Sequence, residues 1–119
     1  MLGEVFVSYF EWIDTDGSLY KEWRNENGFF HRKFAPAYII YYPDSSIEWE
    51  QFFMDGKIHR EDGPALVKYL TDGSIGSEAF YFDGKPVGYD KQGFWAFWDR
   101  LTEEQRQAPS LLRYLMRYL

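Results

Sequence analysis

Asp55-Gly56-Lys57-Ile58-His59-Arg60-Glu61-Asp62-Gly63-Pro64-Ala65 is the stretch on which the fold turns. Upstream by 28 residues, Gly28, His31, Arg32, Pro36 and Ala37 occupy the same places, and downstream by 28 stand Asp83 and Gly84. The period extends outward without a gap. It joins Asp16, Asp44 and Asp72, then Leu19, Ile47 and Ile75, then Glu22, Glu50 and Glu78. A fixed period of this length is the mark of a repeat architecture, in which each unit buries its apolar face against its neighbours.

Within a unit the order reads strand, tight turn, strand, bend, strand, turn. Asn27-Gly28, Asp55-Gly56 and Asp83-Gly84 are the pairs that type I′ hairpins require, because both central residues need positive φ. Asp16-Gly17 and Asp72-Gly73 mark a second row of turns, with Asp44-Ser45 as the weaker middle copy. Proline in Gly63-Pro64 and Ala35-Pro36 removes a backbone donor and marks a bend or a strand start. Segments such as Ile47-Glu48-Trp49-Glu50-Gln51-Phe52-Phe53 are rich in strand formers, and aromatics make up 22% of the chain, which also favours pleated, half-buried surfaces. The expectation is a mainly β chain, an antiparallel meander of about three hairpin units capped by a helical tail.

The 119 residues fit one domain. Residues 1–15 read as an N-terminal capping strand, 16–98 as three repeats with a degenerate third, and 99–119 as the tail. In the third unit Val87-Gly88 and Gln92-Gly93 replace His-Arg and Pro-Ala. The run Phe94-Trp95-Ala96-Phe97-Trp98 asks for burial on both faces, so the tail is expected to fold over it. Thr102 with Gln105 fits a capping box, Pro109 interrupts the helix and Ser110 can cap a second one. Leu111, Leu112, Leu115, Met116 and Leu119 form an apolar stripe at helical spacing, expected to shield the open sheet edge. Leu112, Tyr114, Met116 and Tyr118 are the tail's candidate docking residues.

Charge and composition narrow the function. The net charge of −6 argues against a general nucleic-acid binder, since phosphate affinity comes from clustered Lys and Arg. Residues 1–99 hold 17 acidic and 9 basic side chains, whereas residues 100–119 hold 2 acidic and 4 basic. There is no cysteine, no run of apolar residues long enough to span a membrane and no signal-peptide pattern at Met1-Leu2-Gly3-Glu4, so a cytoplasmic location is expected.

The residues from Asp55 to Ala65, between Asp-Gly turns and Glu-x-aromatic strands, resemble the variant MORN repeats of bacterial and viral proteins. The resemblance covers roughly residues 16–93. The second unit matches most fully; the first has Lys33-Phe34-Ala35 where the motif has Glu-Asp-Gly. It implies elongated antiparallel hairpins and binding or scaffolding roles. Some bacterial variants are described as antitoxins, proteins that act by binding and blocking another. The unit here is longer than a typical MORN unit, so phospholipid binding is not carried over.

Little points to chemistry. His31 and His59 are the only histidines, and equivalent positions two strands apart are about 10 Å distant. Two zinc-ligating nitrogens sit only about 3–3.5 Å apart, so a shared metal is not expected. Arg32 and Arg60 fit turn carbonyls or carboxylates better than a ligand. A column of Glu22, Glu50 and Glu78 at about 10 Å slightly exceeds the glycosidase spacing of roughly 5–9.5 Å. No cofactor is expected. The reading is a non-enzymatic interaction module that binds, and blocks or regulates, a protein partner stoichiometrically, as phage-type inhibitors of host defence and antitoxins do. Glu22, Glu50, Glu78, Arg32, His59, Arg60 and Trp49 are its candidate contacts, the acids favouring a partner with a basic surface. Self-association through the sheet edge or tail helix is compatible with it. The alternative is a β-repeat whose Trp and Tyr faces stack a sugar or hold a quaternary ammonium group.

Overall fold

Register between neighbouring strands decides which side chains share a face, and it departs from the sequence period in one instructive place. The computed structural model describes residues 8–119. The expected capping strand over residues 1–15 is therefore seen only as strand β1 (Ser8–Ile13), residues 1–7 lying outside the described residues. β2 (Leu19–Arg24), β3 (Tyr38–Tyr41), β4 (Ile47–Gln51), β7 (Leu66–Tyr69), β8 (Ile75–Phe82) and β9 (Lys85–Tyr89) follow β1 in one seven-stranded antiparallel meander. Between β4 and β7 a small hairpin, β5 (Phe53–Met54) with β6 (Lys57–Ile58), leaves the main sheet. Helices α1 (Asp90–Arg100) and α2 (Pro109–Tyr118) complete the chain.

In β4 and β8 the residue after the first is bulged. Ile40 pairs with Trp49 but Tyr41 with Ile47, skipping Glu48; Lys68 pairs with Ser77 but Tyr69 with Ile75, skipping Gly76. β2 has no such bulge against β1, where Trp12 faces Tyr20 and Ile13 faces Leu19. One row across the sheet therefore runs Lys21, Ile39, Glu50, Val67, Glu78, and the next Glu22, Tyr38, Gln51, Leu66, Ala79. Glu22 projects from the opposite face to Glu50 and Glu78, since successive residues of a strand alternate. The expected column of three glutamates does not exist.

The first unit restores the missing residue in its hairpin. Asp55 and Asp83 have positive φ together with Gly56 and Gly84, as type I′ turns demand. In the first turn only Gly28 does; Asn25 N–H donates to the Phe29 carbonyl, and the Asn25 carboxamide oxygen accepts from Asn27 and Phe29. Asn27-Gly28 thus closes a longer loop ending in a left-handed glycine, not the expected I′ turn.

Successive hairpins are stitched together by equivalent bonds. Gly56 N–H donates to the Phe30 carbonyl and Gly84 N–H to that of Ile58, each at 2.8 Å. Asp55 N–H donates to His31 Nδ1 at 3.0 Å and Asp83 N–H to His59 Nδ1 at 2.9 Å. Each histidine of the signature thus anchors the next unit's turn.

Trp23, Phe52 and Phe80 take equivalent places one step beyond the Gln51 row. The Arg32 guanidinium lies 3.8 Å over Trp23, and Arg60 lies 4.0 Å over Phe52. Gly88 stands where the third unit would have its arginine, and α1 fills the place: Phe97 and Phe94 pack on Phe80 at 5.0 and 6.1 Å. A Cβ on Gly93 would meet the Gly88 carbonyl carbon at 2.3 Å, so the helix can press onto the strand only because both residues are glycine.

Several expectations about the tail are corrected. The aromatic run placed in the repeat block is helical, with Phe94, Phe97 and Leu101 buried at helical spacing. Leu111, Tyr114 and Tyr118 form the buried face of α2, leaving Leu112, Met116 and Leu119 exposed, because the tyrosine hydroxyls find partners in Arg60 of the bend and Glu78 of β8. α2 covers the sheet around β8 and the Asp62-Gly63 bend rather than its edge, while α1 packs on β8 and on the edge strand β9. The Thr102–Gln105 box forms, at 2.8 and 3.1 Å, but opens a 3-10 turn (Gln105–Gln107). Pro109 begins α2 and Ser110 bonds Asp62 instead of capping.

Candidate interaction site

Two bends of identical origin have opposite fates. Residues 60–65 of the second unit are held from all sides. Arg60 Nε donates to Asp62 Oδ1 at 2.8 Å and its Nη1 to the Pro64 carbonyl at 3.1 Å. Ser110 Oγ donates to Asp62 Oδ2 at 2.8 Å, and Tyr114 lies so close that a Cβ on Gly63 would meet its ring at 3.0 Å. Burial alone would raise the Asp62 carboxyl, but the Arg60 charge and the hydrogen bonds from Arg60 and Ser110 outweigh it and hold it below its ordinary value. Gly63, Pro64 and Ala65 are buried.

Residues 32–37 of the first unit keep the brace, Arg32 Nη1 donating to the Pro36 carbonyl at 3.2 Å, but lose the cover. Lys33 and Phe34 are exposed, Ala35 and Pro36 half-buried. Phe34 is fully exposed and holds φ at 66°, a region L-residues with bulky side chains rarely enter. Partial burial lowers the Arg32 pKa, and among the described residues neither it nor Lys33 has an ion-pair partner.

A cleft of about 390 Å³ opens between the two bends, lined by Arg32, Lys33 and Phe34 on one wall and Phe52, Met54, His59 and Arg60 on the other, with Glu61 and Asp62 at its end. It offers an apolar floor, two unpaired cations and a projecting ring. His59 Nδ1 is engaged by a backbone N–H and its Nε2 stands 3.7 Å from Glu61 Oε1, so the ring is a fastener. Among the described residues no group of three His, Asp or Glu side chains is placed to hold a metal.

The structure unites Arg32, His59 and Arg60 at this cleft and disperses the other sequence candidates. Glu22 accepts from Trp12 Nε1 and Arg24 Nε. Glu50 accepts from the Tyr69 hydroxyl. Glu78 is 1% exposed, bonded to the Tyr118 hydroxyl and, at 3.2 Å, to Arg117 Nε. An acidic surface for a basic partner is thus not formed by these three. Trp49 lies under the Lys68 ammonium at 5.1 Å. In the tail, Tyr114 and Tyr118 pack inward, and only Leu112 and Met116 face outward. Lys33, Phe34, Phe52 and Met54 were not among the candidates. The signal for the first two was the departure of Lys33-Phe34-Ala35 from Glu-Asp-Gly.

No family model matches the chain, and neither does any curated protein or solved structure. Among the described residues no helix is long and apolar enough to cross a membrane.

Proposed function

We propose that the chain is a non-enzymatic protein-interaction module, MORN-like in its repeats, which binds and blocks or regulates a protein partner through the cleft beside Arg32, Lys33 and Phe34. One observation carries it: a fully exposed phenylalanine in left-handed backbone beside two cations without an ion-pair partner among the described residues, where the equivalent bend is sealed by the chain's own helix. Strained backbone persists where something other than stability selects for it, and aromatic and arginine side chains supply most interface hot spots. Fold stability gains nothing from a ring in water.

The sugar- or ammonium-binding alternative needs free aromatic faces. Most of the tryptophans are engaged, Trp23 covered by Arg32, Trp49 by Lys68, and Trp95 and Trp98 packed against Phe94, whereas Trp12 stacks on Tyr20 at 3.9 Å yet stays exposed with Tyr9 and Tyr89.

The test is affinity capture from cells of the natural source, comparing the native chain with Phe34→Ala, Lys33→Glu and, as a control on a distant exposed site, Asp99→Ala. The expected result is one stoichiometric protein retained by the native chain and the control, and depleted at least ten-fold by either cleft variant. Equal retention by all four chains would remove the cleft from the interaction.

A further inference from the structure

The second-unit bend shows what seats on this scaffold, because α2 already does. Its first turn brings Ser110 to Asp62, its second brings Tyr114 over Gly63 with the ring 5.8 Å from the Arg60 guanidinium carbon, and Tyr118 reaches Glu78. The receiving bend carries Glu61 and Asp62, but the cations of α2 go elsewhere, Arg117 Nε to Glu78 Oε1 at 3.2 Å and Arg113 Nη2 to the Tyr114 hydroxyl at 3.3 Å, so Ser110 and Tyr114 make the seat. At the first-unit bend Lys33 replaces Glu61, Phe34 replaces Asp62 and Ala35 replaces Gly63, so the charge is inverted; the arginine brace to the proline carbonyl is kept, but Phe34 holds a positive φ that Asp62 does not.

Resting on the interaction reading above, we propose that the first-unit bend takes an acidic amphipathic helix of the partner protein, seated on Arg32–Pro36 as α2 seats on Arg60–Pro64. Its carboxylates would meet Arg32 and Lys33, and its apolar face would cover Phe34 and enter the cleft towards Phe52 and Met54. Charge disfavours a second copy of this chain as the occupant. Its α2 does expose Leu112, Met116 and Leu119, but it would also bring Arg113 and Arg117 against the two cations. Like charges brought together in a desolvated interface oppose binding. One helix on one cleft buries less than the ~1,200 Å² of a stable interface, so the isolated helix is expected to bind at a dissociation constant in the micromolar range or weaker.

The probe is a side-chain-stapled peptide of residues 109–119 carrying Arg113→Glu and Arg117→Glu, compared with the same peptide unmodified. Each is titrated into the isotope-labelled full chain and followed by amide chemical shifts. The acidic peptide should perturb residues 31–36 and bind at least five-fold tighter than the unmodified one, and Lys33→Glu should erase that preference. Lys33 is exposed and unpaired, so this variant keeps the fold. The inference is overturned if both peptides bind alike, if shifts are confined to residues 60–65, or if none appear at millimolar peptide. If cleft variants lose a captured partner while the acidic peptide shows no preference, the acidic helix is wrong and the interaction module stands.

Discussion

Phe34 and Ser45 both hold positive φ, at 66° and 77°, and they separate two meanings of the same strain. Ser45 sits where Gly17 and Gly73 sit in the other units, with its N–H donating to the Tyr42 carbonyl at 2.9 Å as theirs do to Asp14 and Leu70. Ser45→Gly should therefore stabilise the chain by about 1 kcal/mol, read by chemical denaturation, because an L-residue in left-handed backbone costs roughly 1–2 kcal/mol relative to glycine. Phe34→Gly should stabilise it by a similar amount and abolish partner binding. A Phe34→Gly chain that is less stable would show that the ring packs on the fold. At this scale the sequence was informative about turns and silent about roles: Asp-Gly announced the I′ hairpins, but nothing in His-Arg said that each histidine would accept the next unit's backbone N–H.

At the scale of elements, the docking of α1 and α2 rests on a few contacts that can be broken singly. Gly93→Ala would drive a methyl group into the Gly88 backbone, which cannot yield as a flexible side chain would. It should destabilise the fold by about 3 kcal/mol or more, lowering the denaturation midpoint. α2 should respond to pH at both ends. Burial and the hydrogen bond to Glu78 push the Tyr118 hydroxyl up to about 12 from 10.0. A group raised on folding stabilises fully below its unfolded value, so α2's hold is present below pH 10 and lost as pH rises towards 12. Asp62 is held below 3.8, so its contribution is present above that value and lost as pH falls through the lower folded value. Near-UV circular dichroism should show loss of tyrosine asymmetry at both extremes, and the alkaline step should vanish in Tyr118→Phe. Retention of the signal to pH 12 would contradict the account of Tyr118. The tail was only half legible. Its helices and the Thr102–Gln105 box follow from local pattern, whereas the buried face of α2 was misassigned because leucines outrank tyrosines in hydropathy alone. The hydroxyl of Tyr118 is buried because Glu78 is there to meet it, and that pairing spans 40 residues.

For the whole molecule, the meander and its repeat were written in the period itself, since Asp16, Asp44 and Asp72 set one row of turns and Gly28, Gly56 and Gly84 the other. What the period concealed was the phase. A bulge at Glu48 and Gly76, absent from β2, turns Glu22 to the other face and dissolves the acidic column. The proposed binding surface rests on broken symmetry: the third unit gives its arginine place to α1, the second gives its bend to α2, and the first leaves its bend open. The most direct test is hydroxyl-radical footprinting of the chain alone and with the protein it captures. Phe34 should label rapidly in the free chain while Tyr114 is protected, and complex formation should protect Phe34 at least ten-fold without changing Tyr114. Phe34 labelling equally in the free chain and the complex would contradict the claim that the open bend is the binding surface.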